Sequence, residues 1–305
     1  MKINGLLLVN KTPGGTSHDV VDGARKIFRL KRVGHTGTLD PQAEGLMVLC
    51  LGRATKLQQF LTGMDKTYEG LVRFGHSTTT YDGEGDVTSD PVEFRPELEK
   101  LNHLASEYVG TFLQTPPPFS AKRYKGKRLY ELARSGEAVP ELFKEVTVHA
   151  FEFDRVDDNL GHFNIHCGSG TYLRTIAHEL GQKIGCGAYL YHLKRLRIGP
   201  FHLSTALSLE ELNGREDQLD GPHFIDLKKV RLPFAELKVD CLSGTKLLGG
   251  QRITYYDPDF KPEPREGTIQ VVSPSGHLIC IASYTLDGRE MIALEPRVVV
   301  ADRCD

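Results

Sequence analysis

Apolar residues recur along the chain in short blocks set between glycine-, proline- and carboxylate-bearing stretches, and the period within each block predicts an element. Gly5–Asn10 is a near-continuous apolar run and reads as a buried strand, followed by the turn Lys11-Thr12-Pro13-Gly14-Gly15. Thr16 or Ser17 then caps a helix to about Leu30, with Asp19 and Asp22 suited to its positive N-terminal end. Arg32–Gly45 reads as a loop, Met47–Leu51 as a buried strand, Ala54–Leu61 as a short helix, and Lys66–Phe74 as another strand. A polar loop over His76–Asp90 precedes a helix at Pro96–Tyr108. Gln114–Lys122 is proline-rich and extended, and Lys127–Ser135 reads as a short basic helix. Strands around Val146–Phe153 and Gly161–Cys167 lead to a helix at Tyr172–Ile184, and Tyr189–Arg197 fits a strand or a helix.

Strands and helices are mixed without a regular β-α-β alternation. The expected class is α+β, with a mixed, largely antiparallel sheet flanked by helices. The short polar stretch Asn213–Gly221 predicts a boundary between a domain at about 1–215 and a second one at 222–305. Beyond it the pattern turns to strands. Thr268–Ser273 and His277–Ser283 flank Pro274-Ser275-Gly276, and Asp287-Gly288 marks another hairpin turn, so a small β-barrel is expected.

The composition sharpens this picture. The 305 residues allow two separate cores, and 39% hydrophobic with 26% charged residues excludes a disordered or fibrous chain. No apolar stretch approaches the roughly 18 residues of a membrane span. Leu6–Val9 is too short for a signal-peptide core, so a cytoplasmic protein is expected. The six cysteines are scattered without C-x-x-C spacing and read as reduced thiols.

A net charge of −2 argues at first against a nucleic-acid partner. The charge is unevenly distributed, however: residues 1–60 carry +5 and 121–200 carry +4, while 61–120 carry −6 and 201–305 carry −5. A local positive surface survives the near-neutral total.

Several chemistries lack their motifs. There is no phosphate-binding loop and no G-x-G-x-x-G, so nucleotide cofactors have no support. The twelve histidines are dispersed, His178-Glu179 lacks a second histidine four residues after the first, and a metal site is not expected. Ser17-His18-Asp19 resembles a triad in letters only, because consecutive helical side chains diverge.

Four segments do carry candidate chemistry. Gly34-His35-Thr36-Gly37-Thr38-Leu39-Asp40-Pro41-Gln42-Ala43-Glu44-Gly45 is a tightly shaped loop leading into an apolar strand. Asp40 there is either a turn former or a carboxylate held rigidly enough to act as nucleophile or base. In Cys167-Gly168-Ser169-Gly170-Thr171-Tyr172-Leu173-Arg174, two glycines precede a helix whose Arg174 either faces solvent or aims a guanidinium at a carboxylate. Met64-Asp65-Lys66-Thr67-Tyr68 places Tyr68 at the start of an alternating strand. Finally, Lys122, Arg123, Lys125, Lys127 and Arg128 are interleaved with Tyr124 and Tyr130, which suits either RNA phosphates and bases or a solvated helix face.

Together these segments resemble the bacterial tRNA pseudouridine-55 synthase (TruB-type) family. The Gly34–Gly45 loop matches its catalytic loop, and Asp65-Lys66-Thr67-Tyr68 its D-K-x-Y strand. Gly75–Gly85 fits G-x-x-T-x-T-x-D-x-x-G through Thr78, Thr80 and Asp82. Pro117–Lys122 matches its P-P-x-x-S-A-x-K block imperfectly, with one residue fewer between Ala121 and the Lys, or with Arg123 or Lys125 in the place of that Lys. Gly170–Arg174, Gly185–Ala188 and Leu193-Arg195-Leu196 match the last shared block. The resemblance spans about residues 4–200 in the family's order. It departs at Ser169, where the family often carries a basic residue, so that one phosphate contact is missing or supplied from elsewhere.

The resemblance implies a pseudouridine-synthase-like catalytic domain, an RNA-gripping insertion at about 117–145, and a C-terminal PUA-like β-barrel. It implies conversion of uridine 55 in the T-loop of tRNA to pseudouridine by base flipping, with no cofactor and no metal. Asp40 is then the catalytic carboxylate, and Arg174 its partner. Tyr68 stacks on the flipped base and is a candidate for C5 deprotonation. Tyr172 and Leu193 wall the pocket, and His35 enters the RNA stack where the base has left. Lys122, Arg123, Lys125, Lys127 and Arg128 are the candidate RNA contacts. The expected partner is the tRNA T-arm, met by a monomer with no obligatory protein partner and no membrane. Two other readings compete: a non-catalytic tRNA-binding or tRNA-folding protein, and a guide-RNA-dependent pseudouridine synthase subunit. A pure binder has no need of Asp40, Tyr68 and Arg174 together, and the chain lacks long basic tails for a ribonucleoprotein.

Overall fold

The computed structural model describes residues 3–117, 123–124, 127–128, 142–214, 219–260, 263–287 and 291–304. In chain order its first half contains β1 (Gly5–Lys11), α1 (Ser17–Ile27), β2 (Val33–His35), β3 (Glu44–Leu51), a 3-10 turn (Gly52–Leu57) running into α2 (Gln58–Thr62), β4 (Lys66–Phe74), α3 (Leu98–Ser106) and β5 (Gly110–Gln114). Next come β6 (Arg123–Tyr124), β7 (Lys127–Arg128), β8 (Lys144–Asp157), β9 (Leu160–Cys167), α4 (Leu173–Ile184), β10 (Ala188–Ile198), β11 (Phe201–His202), α5 (Leu209–Leu212) and β12 (Phe224–Asp226). The last part holds β13 (Ala235–Lys238), α6 (Cys241–Leu248), β14 (Ile253–Tyr256), β15 (Glu266–Val272), β16 (Leu278–Leu286) and β17 (Met291–Val299).

One large sheet, ordered β12-β1-β3-β10-β4-β9-β8-β5, organises the first 226 residues, with β2 added on β3 and β11 on β10. Its ladders are antiparallel except for β3 on β10, where Lys194 pairs with Glu44 and Arg195 with Gly45. The expected α+β class with a mixed, largely antiparallel sheet therefore holds. β4 alternates buried and half-buried positions along its whole length, as its sequence requires. Both faces of β1 and β3 are covered. Leu7, Val9, Met47 and Leu49 face the core shared with α1 and α4. Leu6, Leu8, Leu46 and Val48 face a second core, which Leu278, Ile281 and Val300 of the C-terminal unit join. Each such side chain contributes about 1.5–3 kcal/mol by leaving water, which fixes the strands under the site loop.

The C-terminal unit is a five-stranded sheet, β13-β15-β16-β17-β14, with a core of its own around Ile269, Val271, Ile279 and Ile292. Ser273 and His277 close the expected hairpin around Pro274–Gly276 through a 2.9 Å backbone bond. The hydrophobic pattern does not announce β13, β14 and α6, because each is short.

Three local expectations need correction. Arg32–Gly45 is not all loop, since Val33–His35 pairs with Leu49–Leu51. The 3-10 turn takes the first half of the expected Ala54–Leu61 helix. A helix from Lys127 is contradicted at its start, where Tyr124 pairs with Lys127 and Arg123 with Arg128. Only Lys125 and Gly126 separate the paired residues, and a two-residue connection with glycine favours a hairpin. Lys122 and Lys125 lie outside the described residues, as do the remaining residues of that predicted helix.

Candidate active site

The loop bearing Asp40 is pinned from three directions. Thr16 caps α1 and forms a capping box with Asp19, so the Ser17–Asp19 run is helix-start chemistry. The next residue, Ser17, turns its hydroxyl to Leu39, donating to the carbonyl at 2.9 Å and accepting from the amide at 2.8 Å. Lys11, at the end of β1, donates from Nζ to the Pro41 and Ala43 carbonyls at 2.8 and 2.6 Å. From below, Arg195 of β10 is 1% exposed and donates to the carbonyls of Leu46 (2.7 Å), Gly37 (3.0 Å) and Thr38 (3.4 Å). Gly45 lets the loop settle on β10: its φ is +102°, and a Cβ there would lie 2.4 Å from the Arg195 carbonyl.

Arg174, in the first turn of α4, reaches this loop. Its Nε lies 3.1 Å from Asp40 Oδ2 and its Nη2 donates to Asp40 Oδ1 at 3.5 Å. Nη1 meets Asp82 Oδ2 at 2.9 Å and the Thr80 carbonyl at 3.3 Å. One buried guanidinium thus holds two carboxylates. Asp82 is fixed in turn, its Oδ1 accepting from the Thr80 hydroxyl and from the Glu84 amide.

Asp40 keeps 43% of its side chain exposed. Crowding by protein nevertheless raises its pKa from the ordinary value through desolvation; Arg174 pulls it back, the like charge of Asp82 adds to the rise, and Lys11 opposes it. The arginine therefore opposes, but does not outweigh, the cost of burying the charge.

Tyr68 lies on the buried face of β4, paired with Arg195 across the β4–β10 ladder, and burial raises the pKa of its phenol. Two positions along β10, Leu193 pairs with Gly70, which puts it on the same face as Arg195. Tyr172 is held by Gln114, which is 2% exposed, accepts from the Tyr172 amide at 2.8 Å and donates to its carbonyl at 3.1 Å. His35 ends β2, and its Nδ1 accepts from the Gly37 amide at 3.3 Å. Burial, with the positive charge of Arg195 behind it, lowers the His35 pKa, so the ring is neutral near pH 7. Arg174, Tyr68, Tyr172, Leu193 and His35 are thus carried by strands and a helix start around the loop that bears Asp40. The side chains of Arg123, Lys127 and Arg128, with Lys122 and Lys125, lie outside the described part. At Ser169, Lys144 Nζ donates to the carbonyl at 3.0 Å and brings a positive charge to the loop before α4.

Four supports of the site escape sequence reasoning. Asp82 and Arg195 stand in matched motifs that give them no role, and nothing around Lys11 or Gln114 marks either residue. Arg195 leaves no clear signal either, because the burial along its strand does not alternate regularly.

Comparison with known proteins places this geometry. The model for TruB family pseudouridylate synthase (N terminal domain) matches residues 25–173, and that for the tRNA pseudouridylate synthase B C-terminal domain matches 174–233. A tRNA pseudouridine synthase B of Solibacter usitatus is 42% identical over 93% of this chain and 97% of its own length. The chain belongs to the TruB family of tRNA pseudouridine synthases. Another TruB relative, from Bacillus cereus, is 40% identical over 81% of this chain and 83% of its own. Among solved structures, a Cbf5-Nop10-Gar1 complex matches with a TM-score of 0.74 at 23% identity, covering 97% of this chain and 85% of that one. An H/ACA RNP bound to a substrate RNA containing 2'-deoxyuridine matches with a TM-score of 0.73 at 20% identity, covering 98% and 86%. At those identities the likeness is one of fold. The enzyme names of its TruB relatives favour catalysis over the binding-only reading. No described helix is long and apolar enough to cross a membrane.

Proposed function

We propose that this protein isomerises uridine 55 in the T-loop of tRNA to pseudouridine, acting alone on the folded T-arm in the cytoplasm. The observation that carries this reading is Asp40, a half-exposed carboxylate on a pinned loop, gripped by Arg174 of the helix that packs against the core holding Tyr68. In the reaction the C1′–N1 bond breaks, C1′ joins C5, the C5 proton leaves and N1 is left protonated. The product has the composition of the substrate, so no oxidant or group donor is needed.

Uridine in a folded loop must leave its stack, at a cost on the order of a few kcal/mol. A neutral His35 can occupy the gap by stacking on the neighbouring bases. The extruded uracil meets Tyr68 as one wall, with Tyr172 and Leu193 completing an apolar pocket that keeps water from capturing the freed sugar carbon. Asp40 assists cleavage by attack on C1′, by attack on the base, or by drawing a proton from the sugar; its raised pKa suits any of these, because a desolvated carboxylate is the more reactive nucleophile and base. Arg174 holds it in line while Asp82 fixes the arginine. The raised phenol pKa supports stacking over proton abstraction for Tyr68. Lys144 supplies the positive charge that Ser169 lacks, and the segment with Lys122, Arg123, Lys125, Lys127 and Arg128 adds contacts to RNA phosphates.

The test is an assay of the purified protein, without other macromolecules, on an unmodified T-arm stem-loop. Pseudouridine at position 55, and none when that uridine is replaced by cytidine, is the expected result. No product unless a guide RNA is added would overturn the proposal.

A further inference from the structure

Asp65, His149 and His166 come from the approach to β4, from β8 and from the end of β9, and offer one ligand atom each, all within 4.8 Å of one another. None has a part in the chemistry assigned to Asp40. His149 owes its direction to a β-bulge: the β8–β9 ladder steps from Val148↔Cys167 to Ala150↔His166, leaving His149 as the extra residue. His149 and Ala150 consequently both face outward between buried Val148 and Phe151. The His149 and His166 rings lie 4.6 Å apart at 41°, and His149 Nε2 lies 3.1 Å from Asp65 Oδ2. His166 pairs with Thr67 while Ile165 pairs with Tyr68, so alternation puts His166 on the sheet face opposite Tyr68.

Two imidazoles and one carboxylate are the donor set of zinc-type ions, which bind three protein groups and a water when one position stays open. With bonds of about 2.0–2.2 Å, a tetrahedral ion wants its ligand atoms about 3.3 Å apart. The Asp65–His149 pair already meets that spacing, and both side chains are partly exposed and free to adjust toward His166. We propose that Asp65, His149 and His166 bind one zinc-type divalent ion, which clamps the start of β4 to β8 and to the end of β9. Those segments lead directly into Tyr68 and into the Gly168–Tyr172 stretch before Arg174, so the clamp would stiffen the frame of the active site from its far side. The histidines are widely separated in sequence, which is why no motif announces them.

The experiment uses untagged full-length protein treated with chelator, zinc(II) followed by thermal unfolding, and cobalt(II) followed by visible absorption. The expected result is one ion per chain, a Tm that rises with zinc, and d–d bands of tetrahedral intensity with no thiolate charge-transfer band. His149→Ala and His166→Ala should each weaken binding by at least about tenfold, since removing even a group that merely supports a metal ligand costs that much. If either variant folds poorly, as its metal-free Tm reports, Asp65→Asn keeps the shape and carries the same test. No bound ion, or binding unchanged in the His149→Ala/His166→Ala double variant, would overturn the proposal. So would a thiolate band, which would move the ion to Cys241 and Cys304.

Discussion

Arg174 grips Asp40 from the side, with Nε 3.1 Å from Oδ2, while its Nη1 is fixed on Asp82 at 2.9 Å. The arrangement needs a planar fork with donors in two directions. A lysine carries its charge on a single atom and cannot hold both carboxylates in these positions. Arg174→Lys is therefore expected to lower kcat by about a hundredfold, the scale of an approximately 1 Å misplacement of a reacting group, with tRNA affinity nearly unchanged. Single-turnover rates beside filter-binding affinities check this; equal losses in both would mean that Arg174 serves RNA binding instead.

The second carboxylate sets a pH dependence. Asp40 reacts in its ionised form, which is present above its pKa, and the charge of Asp82 is one cause of that pKa being raised. Removing the charge in Asp82→Asn lowers the Asp40 pKa, so the acid limb of kcat/KM should move to lower pH even as the plateau falls. A limb that stays in place would show that another group governs it.

The same raised pKa has a stability consequence. A carboxylic acid whose pKa is higher folded than unfolded destabilises the fold once ionised, so this cost is absent at low pH and grows as pH rises through the folded pKa. Asp40→Asn should accordingly unfold at a higher temperature than the parent near neutral pH, and the gain should fade on acidification. Thermal unfolding of the two proteins across pH tests this directly.

Gly45 supports the loop by conformation alone. Gly45→Ala places a methyl group 2.4 Å from the Arg195 carbonyl at a φ of +102°. The expected cost is at least about 2 kcal/mol, read as a lower Tm with reduced turnover in the folded fraction. An unchanged Tm would mean the loop moves aside without loss.

Much of this architecture is legible in the sequence because local pattern and tertiary role coincide. The alternation of Lys66–Phe74, the cap at Thr16 and the helix holding Arg174 all follow from neighbours in sequence. What stays hidden depends on partners far along the chain. Arg195 is buried where it satisfies two carbonyls of the Asp40 loop and one of β3, some 150 residues earlier. Asp82 acquires its role only when α4 delivers Arg174 to it. The bulge at His149 depends on the register of β9, which no local pattern in β8 reveals. Net charge misleads in a similar way, since the acidic stretches mask positive blocks at 1–60 and 121–200.

For the basic segment, replacing Lys122, Arg123, Lys125, Lys127 and Arg128 with neutral residues should weaken tRNA binding. The slope of log affinity against log salt should flatten by about 0.7–0.9 for each phosphate no longer neutralised. A slope equal to the parent's would place the RNA surface elsewhere.

The central claim is that Asp40 performs the chemistry while the surrounding fold binds the RNA. Asp40→Asn changes one oxygen to an amide in a site whose shape is otherwise kept, so single-turnover conversion of the T-arm stem-loop measures that claim most directly. The expected result is tRNA affinity within about threefold of the parent and no detectable pseudouridine, because an amide is a poor nucleophile and base. Turnover within about tenfold of the parent would contradict it.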